Sequence, residues 1–365
     1  MKRLSLLITM LVLAISQMSA QDNSNQGTIT LSHNGKESFF AYNKMGDAVE
    51  AAADGDTIYL SKGEFEGDFR LTKKIAFIGS GADYSNGTGS YTRYYSGTIV
   101  VAMPEGTKLT ARLFDGIYFD NSITFQNAIE NVIFRKCKTP CSFSINAAMG
   151  SLYFDRCNIS CGGNVMSSKL KKLVARNCRI SSLHMDDSNY NKVAANWQFI
   201  HCTIDPNNWS YTDNERKEHY YSPLRGIFTN CIIDNDDNNQ QGYELYYPQG
   251  SESYTAAYIN CLFYKPAEGR EIFNGATVQN DMYFDASGLG NNEENKIRNF
   301  TKEKLQENNF LGNDGTVVGC WGGKNPYTLK PNIPTVSSSK VHLDREKKQI
   351  QINIKLSSQD RKSVV

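Results

Sequence analysis

The sequence has no excess of charge of either sign: 39 Lys and Arg stand against 38 Asp and Glu, and no long basic run interrupts the balance. That absence excludes the footprint of a nucleic-acid binder, which must neutralise many phosphates. Beyond the first twenty residues there is also no apolar run long enough to cross a ~30 Å hydrocarbon core, so no transmembrane segment is expected once those residues are removed. The first twenty, MKRLSLLITMLVLAISQMSA, put Lys2 and Arg3 ahead of an apolar stretch from Leu4 to Ile15 and end in small residues before QDNSNQG. They read as a secretory signal peptide, residues 1–20, cut near Ala20. No cysteine lies near the cut, which argues against lipoprotein processing. The expected location is therefore outside the cytoplasm: periplasmic, cell-surface or secreted.

What is present is a repeat. Aligned on cysteine, VIFRKCKT (132–139), LYFDRCNI (152–159), LVARNCRI (173–180), WQFIHCTI (197–204), GIFTNCII (226–233) and AAYINCLF (256–263) share apolar positions, a polar residue, Cys, any residue, then usually an apolar one. Spacings from Cys137 through Cys157, Cys178, Cys202 and Cys231 to Cys261 are 20, 21, 24, 29 and 30 residues, so a constant rung acquires growing insertions. Strands at 98–102 and 116–125 continue the series backwards. Stacked repeats extend one core, which predicts a single elongated domain over 21–330 rather than two domains. About ten coils at ~4.8 Å per strand predict a stack on the order of 50 Å long. No helix accompanies each repeat and no four-strand blade recurs, against a leucine-rich repeat or a propeller; a β-sandwich stays open as an alternative.

Upstream, Tyr42–Ala53 places Met45, Ala48, Val49 and Ala52 on one helical face. Strands follow at 57–60, 69–72 and 75–81, with SKGEFEGD as a turn between the first two. The order helix, GDTIYL, KGEFEG, KKIAFIGSG closely resembles the opening of right-handed parallel β-helices such as pectin methylesterases and polysaccharide lyases. The resemblance implies an all-β fold, a right-handed parallel β-helix of the pectin-lyase-like kind, whose short helix caps the N-terminal end. GCWGG and PYTLKPNIP, after Phe310, resemble the ends of β-helix proteins exported by gut Bacteroidetes-type bacteria. In the remaining tail, 331–365, KVHL and QIQINIKL alternate around DREKK and predict a hairpin at 340–356 covering or extending the C-terminal end.

Nine cysteines in an exported chain suggest disulfides, but six share one register position and read as an inward ladder of small apolar residues. Cys141 and Cys161 are the pair best placed for a bridge. Zinc is disfavoured because the cysteines are strung along one axis rather than converging.

The motifs of catalytic members of these families are missing. Asp186 and Asp187 are the double aspartate nearest the ladder, yet adjacent strand residues point to opposite faces. Asp234, Asp236 and Asp237, in IIDNDDNN, form an oxygen-rich group of the kind calcium takes, with Arg225 as base or carboxylate clamp; the same run also reads as plain turns. Two insertions leave neighbouring rungs carrying Trp209, Tyr211, Tyr220 and Tyr221, then Tyr243, Tyr246 and Tyr247. Aromatic faces beside carboxylates and amides suit a polysaccharide or cell-surface glycan, although the same tyrosines could pack the loops onto the wall. His201 reads as a ladder residue. The leading expectation is a monomeric, non-catalytic binder of glycan or another extracellular partner. The alternative is a divergent calcium-dependent polysaccharide lyase or glycoside hydrolase acting on an acidic glycan.

Overall fold

The computed structural model describes residues 25–83, 91–139, 143–160, 169–183, 197–206, 209–212, 218–222, 224–236, 241–246, 256–289, 292–330, 335–344 and 349–357. Residues 1–20, Cys141 and Cys161 lie outside them.

The described chain is mostly β and built on long parallel sheets. From Met149 onward, apart from a hairpin inserted at 209–221, it alternates between a twelve-stranded and a ten-stranded sheet, each return laying its strand parallel to the one a rung earlier. A four-stranded parallel sheet, Phe69–Leu71, Ile99–Val101, Ile123–Phe125 and Phe143–Ile145, is a third sheet in the earlier rungs. In the twelve-stranded sheet Phe77, Phe114, Phe134, Phe154, Ala175, Phe199, Phe228 and Tyr258 stand in register, one per rung, and all are buried. The alternation of inward apolar with outward polar residues along each strand sets this column, since successive side chains take opposite faces.

The cysteine rungs explain themselves in this geometry. Cys137, Cys157, Cys178, Cys202, Cys231 and Cys261 are free and fully buried. From Cys157 onward their thiols reach main-chain carbonyls of the preceding rung, as from Cys231 to Phe199 at 3.3 Å, and the N–H groups of Cys157 and Cys202 point at the next sulfur at 3.4 and 3.5 Å. Burial pushes the thiols of Cys137, Cys178 and Cys231 well above the usual thiol range. Asp281 takes the next position of the column and accepts the Cys261 N–H at 2.7 Å. The residue before each Cys has a reason too. Lys136, Arg156, Asn177, His201, Asn230, Asn260 and Asn280 all have φ between 50° and 56°, the left-handed turn that carries the chain from one sheet to the other. Asparagine tolerates that region better than most side chains, and it fills four of the seven positions. We expect the seven described cysteines to resist a thiol reagent in the native protein and to react once guanidinium unfolds it; peptide mapping that found a native-state label on any ladder Cys would mean the column is open.

At the N-terminal end the helix Met45–Ala51 buries Met45, Ala48 and Val49, and Ala52 follows them into the core. Two antiparallel strands, Thr28–His33 and Lys36–Ala41, joined through Asn34-Gly35 at positive φ, finish the twelve-stranded sheet there. The stretch expected as a turn at 61–68 contains a strand, Gly63–Glu66, pairing with Thr92–Ser96. Its alternation is too short to stand out from its glycines.

At the other end the chain doubles back. Residues 292–323 lay a second apolar cluster, including Ile297, Phe300, Leu305, Val317 and Val318, over Ile232, Leu262 and Tyr264 of the ten-stranded sheet. The same segment then descends the left-handed turns: Asn313 and Gly312 sit at Asn230, Asp314 is 2.9 Å from His201 Nε2, and Asn177 donates to the Gly322 carbonyl at 2.7 Å. Leu329 accepts from the Ala82 N–H at 3.3 Å. The hairpin exists, longer than expected, as Thr335–Asp344 paired with Gln349–Ser357. It forms a two-stranded sheet of its own, and among the described residues it makes no pairing with Thr277–Gln279, the last strand of the twelve-stranded sheet. The chain is pinned at Ala82 just before the ribbon begins.

Candidate functional site

The residue after each rung cysteine points outward from the ten-stranded sheet. Through the pairing register these positions form one continuous row: Glu64, Arg93, Tyr118, Lys138, Asn158, Arg179, Thr203, Ile232, Leu262, Met282. The row changes character along its length. From Glu64 to Arg179 it is polar and half-buried; from Ile232 onward it is apolar and lies beneath the returning segment. A cavity of about 250 Å³ opens at the junction, lined by Asn158, Arg179, Ile180, Ser181, Thr203, Asp205, Arg298 and Asn299.

At the cavity wall a charge cluster gathers around one buried carboxyl, Asp234. Asp205 and Asp234 follow the paired residues Ile204 and Ile233 on adjacent strands. Arg298, brought in by the returning segment, places Nη1 2.7 Å from Asp234 and 3.6 Å from Asp205, with Nη2 3.4 Å from Glu293. The Asp234 side chain has no exposure, and its Oδ1 finds no hydrogen-bond donor. Burial pushes its carboxyl up to about 7 despite the arginine, and burial also raises Asp205. Cationic residues in the row behave differently from one another. Arg93 is held by Glu64 at 3.0 Å and by Asp120. Lys138 instead lies over the Tyr118 ring, 4.4 Å from its centroid, and among the described residues Arg179 donates to the neutral Arg298 carbonyl and Asn299 Oδ1, both at 3.3 Å.

Several expected site residues stand elsewhere. Arg225 is fully buried and cannot clamp a ligand from solvent. Asp234 spends its carboxylate on Arg298 instead of an open cation cradle, and Asp236 is buried in a backbone bridge with Gly242. Among the described residues no three His, Cys, Asp or Glu converge as metal ligands; of the expected calcium group, Asp234 stands in an ion pair and Asp236 in a turn. Asp237, Asp186, Asp187 and Tyr247 lie outside the described residues. Trp209–Thr212 pairs antiparallel with Glu218–Tyr221, setting Trp209 opposite Tyr221 and Tyr211 opposite His219. Tyr220 packs on the main core, Tyr221 and Tyr246 are half-buried, and Tyr243 is buried with its hydroxyl unpartnered. Tyr220 and Tyr243 thus pack their loops onto the wall, the reading that burial of large aromatic area favours. His201 sits in the left-handed turn before Cys202 rather than in the ladder itself.

Sequence reasoning missed Tyr118, Lys138, Asn158, Arg179 and Arg298. For the rung residues the signal was there: the position after each Cys reads Lys, Asn, Arg, Thr, Ile, Leu in order, polar giving way to apolar where the cover begins. Compared with protein-family models, curated proteins and solved structures, the chain matches none.

Proposed function

We propose that this chain is an exported, single-domain right-handed parallel β-helix of the pectin-lyase-like kind that binds an extended glycan along the outer face of its ten-stranded sheet. Strands that return in register every 20 to 30 residues support the solenoid reading. The observation that carries the binding reading is the polar row running into the 250 Å³ cavity, whose amide, hydroxyl and guanidinium groups match the hydrogen-bonding of a sugar. Isothermal titration of the mature chain against a panel of neutral and acidic polysaccharides, with absorbance near 235 nm followed for unsaturated products, tests it. Binding heat without product is expected, and no heat with any member would refute the reading.

A second reading, acid–base cleavage, is favoured by one feature: two carboxyls in register, both raised by burial, beside an arginine. It requires Arg298 to leave Asp234 so that substrate can reach it. Product formation abolished by Asp234→Asn would establish this reading over the first.

A further inference from the structure

We propose that the C-terminal end of the stack docks the same end of a second copy of this chain, the two bare strands Thr277–Gln279 pairing antiparallel about a two-fold axis at Val278 and the two open cores closing each other.

The two ends of the stack are finished differently. At the first, the helix Met45–Ala51 and the antiparallel strands close the core over Ile29, Leu31 and Ile58, and the outermost strand carries Lys36 and Glu37. A charged edge strand is a poor template for pairing. At the last rung three inward columns simply stop. Val278 follows Phe228 and Tyr258, Tyr283 follows Phe263, and Asp281 follows Cys261. Phe228, Tyr258 and Phe263 are buried, whereas Val278 is 40% and Tyr283 43% exposed. Phe273 packs on Tyr258 and Phe263, both at 5.1 Å, yet is itself only partly buried. All of Thr277–Gln279 is exposed, and among the described residues it pairs on one side only, as does Met282–Phe284 in the ten-stranded sheet.

A second copy fits this end where the chain's own ribbon does not. Leu329 is bonded to Ala82, just past Ala76–Ile78, and that strand lies eight strand spacings from Thr277–Gln279, roughly 38 Å. The five residues between Leu329 and Thr335 reach about 20 Å, so the base of the ribbon stays near the opposite end. From Ile272 to Phe284 the end coil has a single charged side chain, Asp281, so two such ends meet with little repulsion. A coil of about twenty residues also matches one side of a standard interface, on the order of 800 Å². Antiparallel pairing gives each strand the ladder partner it lacks and sets Val278 against its symmetry mate. Nothing in this contact depends on what the outer face of the ten-stranded sheet binds.

Asp281 makes the contact sensitive to pH. Its Oδ1 accepts the Cys261 N–H at 2.7 Å, Oδ2 is buried with no donor, and burial raises the carboxyl to about 7. The ionisable groups around it are Tyr258 and Tyr283, with Cys261 beneath, and none is a cation. A second copy laid over the end removes the remaining water, which penalises the ionised form. Dimerisation therefore takes up protons, so it strengthens as pH falls through about 7 and weakens above it.

Sedimentation velocity of the full mature chain over a concentration series, at about pH 5.5 and about pH 8, tests this. A monomer–dimer equilibrium is expected, at least about tenfold tighter at the lower pH. Val278→Lys, at an exposed position, weakens the dimer by more than about tenfold there. Asp281→Asn dimerises equally at both pH values, and Phe39→Lys, exposed on the edge strand of the opposite end, changes nothing. Unchanged thermal melting confirms that each variant folds. A chain monomeric throughout would overturn the proposal; protection of the Thr277–Gln279 amides in that monomer would show that its own ribbon covers the end. Species growing beyond the dimer and lost in Phe39→Lys would overturn it in favour of head-to-tail stacking. A dimer indifferent to Val278→Lys would place the contact elsewhere, and one indifferent to pH would overturn the role given to Asp281.

Discussion

Replacing Arg298 with alanine is expected to destabilise the protein by about 3 kcal/mol at pH 8 and by only about 1 kcal/mol at pH 5. Among the described residues Arg298 is the only cation within ion-pair distance of Asp234, whose side chain is fully buried. Removing it at pH 8 leaves a buried carboxyl that must either stay charged without a partner or take up a proton against the solution pH. At pH 5 the picture changes, because burial raises the Asp234 carboxyl to about 7 in the folded protein, and there it is already protonated. What is lost at pH 5 is a hydrogen bond and some packing. The linkage has a definite sign. The folded state holds a proton that the unfolded chain releases from about pH 4 upward, so Asp234 lowers stability progressively as pH rises from about 4 to about 7. Arg298→Ala raises the folded pKa further and extends the loss to higher pH. Asp234→Asn flattens this dependence, and in the double variant most of the pH 8 loss disappears. Urea midpoints at the two pH values measure all of it; an Arg298→Ala penalty equal at both would show that charge compensation is not the cause.

Phe134→Ala is expected to cost about 4 kcal/mol, with Phe134→Leu costing roughly a third of that. Phe134 is fully buried in the middle of a ring column, 5.2 Å from Phe114 and 5.4 Å from Phe154, and Phe143 meets it edge-on at 5.3 Å. Truncation removes transfer free energy, leaves a cavity, and breaks four aromatic contacts, a more distant edge-on one to Phe119 included, of up to about 1 kcal/mol each that overlap with the burial term. Stacked repeats draw their stability from nearest neighbours, so the damage should centre on the rungs at Phe114 and Phe154 and fade away from them. Hydrogen exchange resolves this. A loss under 1 kcal/mol, or protection lost evenly along the chain, would mean that the column is not what couples the rungs.

Much of this architecture was legible because it is periodic. An inward position must recur once per rung, so the cysteines announced both the strand register and their own burial, and the faces of the helix at Met45–Ala51 followed from a period of 3.6. The polar residue before each Cys was visible as part of the pattern, but only the backbone shows that it must turn left-handed. Even the outward row was written in the residue after each Cys, although nothing local says which outward face will be left open.

The rest depended on contacts that no period predicts. Arg298 meets Asp234 across 64 positions, and Leu329 meets Ala82 across still more. Only the returning segment decides that Ile232 and Leu262 are covered while Lys138 and Arg179 are not. Arg225 and Tyr243, read as exposed chemistry because charged and aromatic residues in loops so often are, became interior because those loops fold back onto the rungs. Sequence alone determined the repeating wall, where each residue's environment is set by neighbours one strand away and its own alternation; the tertiary structure decided the site, where desolvation and pairing come from segments whose approach costs chain entropy locally and is repaid only by distant apolar burial.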